Sequence, residues 1–213
     1  VIARPSIPTY NQLSRFAFPT LAMWLLQPVL SLIDTSIIGM NSLSTVSELA
    51  AIGPGIAWID PTSFVFQFMG IATTFLYLDA LKDGDKGKSA EVLSHSVITS
   101  FYFGVLLLFI QFTLAPLAIT SLCGEAKHSI AYAIQYARIR SFAAPFALPT
   151  IVGQAAFLAL KDSWTPLKAV LLGAVVNILG DILLVNVCGA GVAGAAAATA
   201  ASQIVGAAYL MLV

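Results

Sequence analysis

Apolar residues in this chain fall in long blocks separated by short polar clusters, without the spacing of a half-buried helix or the alternation of a half-buried strand. Crossing a bilayer core as a helix takes ~20 predominantly apolar residues. Six stretches are long enough: 14–40, 54–78, 92–120, 130–158, 165–188 and 191–213. The clearest break is LDALKDGDKGKSAE (78–91), a charged connector with two glycines. In KDSWTP (161–166), Asp162 or Ser163 is placed to cap a helix begun near Pro166. Gly53–Pro54–Gly55 reads as a turn into the second helix, and no phosphate-loop pattern follows it. The pattern predicts an all-α membrane protein, a six-transmembrane-helix bundle.

Composition points the same way. The 213 residues are 59% hydrophobic and only 9% charged, with a mean hydropathy of +0.91. A soluble domain carries roughly 25% charged residues, so the lipid bilayer is the expected solvent. Ten basic and ten acidic residues cancel, which gives no field for nucleic acid. Two cysteines, Cys123 and Cys188, are too few for a disulfide scaffold or a thiolate cluster and read as free thiols. The first residues, VIARPSIPTYNQLS, lack a signal-peptide core. The chain starts without Met and stops at Val213 inside an apolar run, and reads as part of a longer protein.

Lys and Arg set the orientation. The N-terminal segment, 79–91 and 161–168 carry Arg4, Arg15, Lys82, Lys86, Lys88, Lys161 and Lys168. The opposite joints carry Lys127, with Arg138 and Arg140 near the start of the fourth helix. Seven against three places both ends on the positive, cytoplasm-like side.

Within the apolar blocks a few polar residues stand out. Asp34, in SLIDTSIIG, falls six residues before the outer end of helix 1, and Asp181 seven before that of helix 5. Thr199 falls eight residues into helix 6. At ~1.5 Å per residue all three lie roughly 10 Å below the outer surface. Asn177 lies one turn deeper than Asp181 on the same face, and Gln27, Ser31 and Asp34 share a face of helix 1. A central Asp costs about 2.5–3.5 kcal/mol on insertion scales. Two close carboxylates in low dielectric cannot both ionise comfortably, so such a pair holds a proton or recruits a cation. Carboxylate, amide and hydroxyl oxygens suit H⁺ or a hard cation such as Na⁺ rather than zinc or copper. The competing reading is that the acids only pin helices together by hydrogen bonds.

Pro19 and Pro28 each remove a backbone bond from helix 1 and are its expected hinge; a static kink is the alternative. Helix 4 is interrupted by Pro145 and Pro149, and a static kink is expected there. Residues 194, 198, 202 and 206 form a small-residue row that lets a neighbouring helix approach. Gln154 and Gln203 are candidate cavity-lining residues with Gln27 and Ser31, while Gln67, Thr74 and Gln111 are further polar residues inside spans. Asp60, in WIDP, is expected at the start of helix 2, apart from the Asp34–Asp181 pair. His95 and His128 adjoin connectors. No nucleophile–base or metal-hydrolase motif is present, so no catalytic residue, resident metal or cofactor is expected and the chain does not read as an enzyme.

These residues carry a family resemblance. PVLSLIDTSIIGMNSLSTVSELAAIGPG (28–55) resembles the first helix and connector of the multidrug and toxic compound extrusion (MATE) transporters. QAAFLALKDSWTPLKAVLLGAVVNILGDILL (154–184) resembles their helix 4–5 signature, and GAGVAGAAAATAASQIV their helix 6. The motifs are most similar to a plant plastid-envelope subgroup that includes a salicylate exporter. The resemblance implies that Asp34, Asn177, Asp181 and Thr199 form a cation or proton site, with Pro19 matching the family's proline fifteen residues before the helix 1 acid. It implies twelve spans in two lobes, of which this chain supplies the six-helix N-terminal lobe (1–213) and not the second; the C-terminal lobe of the same protein is then an expected partner. Some plant members couple through acids of that second lobe.

The expected function is an antiporter exporting small organic compounds, phenolic or carboxylate metabolites such as salicylate among them, in exchange for H⁺ or Na⁺. A passive pore and a non-transporting membrane scaffold are the alternatives. The plastid envelope is the expected membrane, with plasma and vacuolar membranes as alternatives.

Overall fold

A computed structural model describes residues 9–40, 45–82, 84–123 and 127–213. Helix α1, Tyr10–Met40, runs unbroken through Pro19 and Pro28. Helices α2, Val46–Phe64, and α3, Phe68–Lys82, are joined by a 3₁₀ turn, Val65–Gln67, into one span. Helix α4 is Lys86–Cys123. A second 3₁₀ turn, Lys127–Ser129, leads into α5, Ile130–Ser141, and α6 is Ala144–Ala159; this pair bends by 52° and together makes one span. Helix α7, Trp164–Asp181, widens into a π-helical segment, Ile182–Val187, before α8, Gly191–Leu212. Five helical segments are long and apolar enough to cross a bilayer, and the bent pair makes six. The all-α, six-span expectation therefore holds.

Helix ends differ from the apolar blocks because capping, and not hydropathy, sets them. Helix α2 begins at Val46. The Thr45 hydroxyl accepts the Glu48 amide at 3.2 Å, and Glu48 Oε2 accepts the Thr45 amide at 2.7 Å. That reciprocal cap satisfies two orphan donors and nucleates the helix. Gly53–Pro54–Gly55 is consequently helical, not a turn: Pro54 forfeits one bond inside an established helix. The 78–91 connector is also mostly helix. Helix α3 continues to Lys82, and Asp85 Oδ1 caps α4 through the amides of Gly87 and Lys88, at 2.8 and 3.1 Å.

Between α6 and α7 the choice of cap falls on Asp162. Its Oδ1 accepts the amides of Trp164 and Thr165 at 3.0 and 3.1 Å, and its Oδ2 accepts the Thr165 hydroxyl at 2.6 Å. The hydroxyl bond first, and then the two amides, hold this carboxyl below the usual carboxylate range. A carboxyl depressed in the fold contributes its stability in full above the unfolded value, and loses it as pH falls through the lower, folded one. Asp162→Ala is expected to cost ~1 kcal/mol at neutral pH. The difference in melting temperature from wild type, followed in detergent, should shrink once the pH falls below about 4.

Helices α7 and α8 pack through small residues. A Cβ built on Gly180 would lie 2.8 Å from the Ala198 Cβ, and one on Gly173 would lie 3.1 Å from the Ser202 carbonyl oxygen. Gly194 meets Leu184 and Gly206 faces the Ala169 carbonyl, so the whole 194–198–202–206 row serves this contact. One core joins α1, α2, α5, the π segment and α8 through Ile38, Ile52, Tyr136, Val185 and Val192. A second joins α2, α4 and α5. Gln111 is structural: its Nε2 donates to Thr62 Oγ1 and Ser63 Oγ at 2.9 and 3.1 Å, and its backbone oxygen accepts Trp58 Nε1 at 3.1 Å. Both cysteines are free thiols, Cys123 buried and Cys188 exposed.

Arg138 and Arg140 sit near the C-terminal end of α5, about 20 Å along the span from Lys127. They belong to the bundle and not to a joint, which leaves Lys127 as the basic residue on that side; Arg4 lies outside the described residues.

Candidate functional site

Helix α1 packs along α7, and α7 along α8. This order brings Asp34, Asn177, Asp181 and Thr199 to one place. Asp181 is fully buried and Asn177 is 2% exposed. Asn177 Nδ2 donates to Thr199 Oγ1 at 3.4 Å, and that hydroxyl donates to the Ala195 carbonyl at 2.9 Å. Asp34 lies against Asp181 and Thr199, close enough to share a hydrogen bond with Asp181 when one of the two carries a proton.

The local chain explains this arrangement. Asn177 and Asp181 are one turn apart on α7, and the helix widens immediately after Asp181. There Cys188 N bonds Leu183 O and Ala190 N bonds Leu184 O, each at 2.9 Å. Single π turns are rare and concentrate at functional sites. Gly180, beside Asp181, permits the close approach to Ala198 that places Thr199 opposite Asn177.

Three of the carboxylate oxygens are orphans. Among the described residues no donor reaches Asp34 Oδ1 or either oxygen of Asp181, and all three atoms are buried. Buried polar groups are normally satisfied, and a buried unpaired carboxylate is among the costliest exceptions. The arrangement can hold a shared proton, or a hard cation among carboxylate, amide and hydroxyl oxygens. No group of three or more His, Cys, Asp or Glu residues suited to a metal ion occurs among the described residues.

The remaining predicted residues are spread more widely. Gln27 and Ser31 are exposed on α1 and do not join Asp34, whose side chain turns toward α7. Gln154 and Gln203 are half-buried in α6 and α8. Pro19 is buried and Pro28 exposed, both within unbroken helix.

Asp60 is not at a helix start. It lies about 20 Å into α2 and pairs with Arg140, Nη1 to Oδ1 at 3.2 Å. Arg140 also reaches the Tyr136 hydroxyl at 3.5 Å and stacks over that ring at 5.7 Å. Sequence reasoning counted this cation with the outer joint and missed its pairing within the span, although a signal was available. An Arg that far into a span carries the same insertion penalty that singles out Asp34.

Residues 19–183 match the MatE family. The chain is 38% identical over 203 residues to Protein DETOXIFICATION 47, chloroplastic, of Arabidopsis thaliana, covering 95% of this chain and 37% of that one. It is 30% identical over 207 residues to Protein DETOXIFICATION 44, chloroplastic, of the same plant, covering 90% and 38%. The crystal structure of MATE in complex with MaD3S superposes with a TM-score of 0.82 at 24% identity, over 93% of this chain and 44% of that one. The chain thus spans less than half the length of the relatives it matches, as one six-span lobe would. On its sequence match and its fold together, this multi-pass membrane chain belongs to the MatE family.

Proposed function

We propose that this chain is the N-terminal lobe of an antiporter that exports small organic compounds in exchange for H⁺ or Na⁺. The observation that carries the reading is Asp181: fully buried, without a donor for either oxygen, and set against Asp34. Such a pair demands a proton or cation, and its demand changes with solvent access. Two states of the lobe that differ in this access bind the ion unequally, and a ligand shifts a conformational equilibrium only by that difference. In this reading Asp34, Asp181, Asn177 and Thr199 hold the coupling ion. Pro19 and Pro28 let α1 bend as the site empties, while Gln27, Ser31, Gln154 and Gln203 face the path of the substrate.

Phenolic or carboxylate metabolites such as salicylate are the substrates implied by the plant subgroup. The chloroplastic names of the two Arabidopsis relatives support a plastid envelope as the membrane. The second lobe belongs to the same protein and closes the other side of the substrate path.

The test is efflux from proteoliposomes holding the full-length protein, with an H⁺ or Na⁺ gradient imposed and then collapsed. Saturable efflux that follows the gradient is expected. Downhill, non-saturating flux that ignores the gradient would identify a pore, and absence of flux would identify a scaffold.

A further inference from the structure

The seam between α4 and the bent α5–α6 span is open on its exposed side. Phe112 of α4 meets Phe142, at the end of α5, with ring centroids 5.9 Å apart, and Phe101 meets Phe146 of α6 at 6.4 Å. Beside the first pair lies a hollow of about 330 Å³ walled by Ile134, Gln135, Arg138 and Ile139. Beside the second lies a trough of about 570 Å³ over Pro145 and Pro149 of α6, flanked by α4 and by Ile204, Ala208 and Met211 of α8. Phe142 walls the hollow and Phe146, one turn on across the bend, walls the trough. The two therefore follow one another down the same seam.

Arg138 sets the chemistry of the hollow. Its Nε donates to the Phe112 carbonyl at 3.4 Å, and the guanidinium lies 4.9 Å from the Phe112 ring centroid. A guanidinium has five donors. Among the described residues both Nη groups lack an acceptor, and no carboxylate pairs with this cation. An unpaired cation within a span is costly unless it reaches water, an anion or the headgroups.

Depth selects among these. Ile130–Ala159 is ~45 Å long at ~1.5 Å per residue, against a hydrocarbon core of ~30 Å, so each end overhangs the core by about 7 Å. Arg138 lies about 12 Å into α5, hence about 5 Å inside the core boundary, a distance its side chain spans by snorkelling. Gln135, one turn earlier and exposed, adds an amide donor, and Lys127 an exposed positive charge at the outer joint. The trough starts at Pro145, about 10 Å deeper than Arg138, and extends to Pro149, about 16 Å deeper. One leaflet of the core is ~15 Å deep. No charged side chain lines the trough, so it suits an acyl chain whose phosphate lies at Arg138.

We propose that this seam is a binding site for one anionic phospholipid of the leaflet on the Lys127 side. Arg138 and Gln135 bond its phosphate, and one acyl chain lies in the trough between α4, α6 and α8. Charge complementarity carries the headgroup assignment, since a guanidinium with free Nη groups binds phosphate through paired hydrogen bonds, and basic pockets between spans hold anionic headgroups. The bound chain bridges α4 and α8 across α6, so the lipid stabilises the folded lobe by mass action. The site is separate from the Asp34–Asp181 pair and independent of what the lobe transports.

The experiment takes the full-length protein, delipidated in detergent, and titrates it with dioleoylphosphatidylglycerol. Bound lipid is read by native mass spectrometry and stabilisation by thermal unfolding. Wild type is expected to hold one phosphatidylglycerol, and to bind dioleoylphosphatidylcholine about fivefold more weakly. Arg138→Gln should weaken phosphatidylglycerol about tenfold and erase that preference. Ala208→Trp fills the trough from the exposed face of α8. It should weaken the dioleoyl lipid but not the dihexanoyl one, whose chains stop short of the trough. Equal binding of the two headgroups by wild type, or phosphatidylglycerol affinity unmoved by Arg138→Gln, overturns the proposal. So does inorganic phosphate that competes as well as the lipid, which would make the hollow a free-anion site. Failure of the full-length protein to take up lipid overturns it too, and would mean that the second lobe covers the seam. If Arg138→Gln does not insert, Ala208→Trp decides: equal loss or retention of both chain lengths removes the trough from the site.

Discussion

Asp34→Asn should leave a protein that inserts and folds but has lost ion-coupled exchange, with a rate under an imposed gradient reduced by up to about 100-fold, the scale of a full coupling free energy. Asn matches Asp in shape, so the packing of α1 on α7 survives. What disappears is the second carboxylate beside the buried, donor-free Asp181. A lone carboxyl beside an amide binds an ion less differently in two conformations, and the gradient then has less to act on. The measurement compares efflux with and without the gradient in both proteins. Undiminished gradient dependence in Asp34→Asn would sink the assignment and direct attention to acids of the second lobe.

Gly104→Ala is expected to damage the lobe itself, at a cost of ~1–3 kcal/mol and more if the bend cannot relax. Gly104 sits where α4 meets the start of α6. A Cβ there would lie 2.6 Å from both the Ala144 carbonyl oxygen and the Pro145 Cα. Both are backbone atoms beside the 52° bend, so no side chain can swing aside to make room. Gly53 is the control: it is also inside a helix, but a Cβ there meets nothing within 4 Å. Gly53→Ala should therefore be neutral or stabilising by up to ~1 kcal/mol. Thermal unfolding in detergent separates the two, and equal behaviour would show that the close approach at Gly104 is not limiting.

The membrane-spanning blocks were legible because an apolar run of that length has few other solvents available to it. Asp34 and Asp181 were legible for the converse reason, being charges where charge is expensive. Their common level followed from helix rise alone. The start of α2 was misplaced because a reciprocal Thr45–Glu48 cap outweighs the turn propensity of Gly53–Pro54–Gly55, a contest that hydropathy does not register. The 52° bend between α5 and α6 depends on how closely α4 can approach, and Gly104 reports that only once its neighbours are known.

By itself, the sequence determined the solvent, the number of spans, their alternating direction and which side chains carry an insertion penalty. These follow from local sums of transfer free energy along one helix at a time. Only the tertiary structure decided which penalised groups meet. It set Asp34 against Asp181 and Thr199, left Gln27 and Ser31 outside that site, and moved Asp60 from a helix start to a mid-helix ion pair with Arg140. Depth along a helix is set by counting residues. Facing across a bundle depends on helix rotation, bends and glycine contacts, which are settled by packing among distant segments.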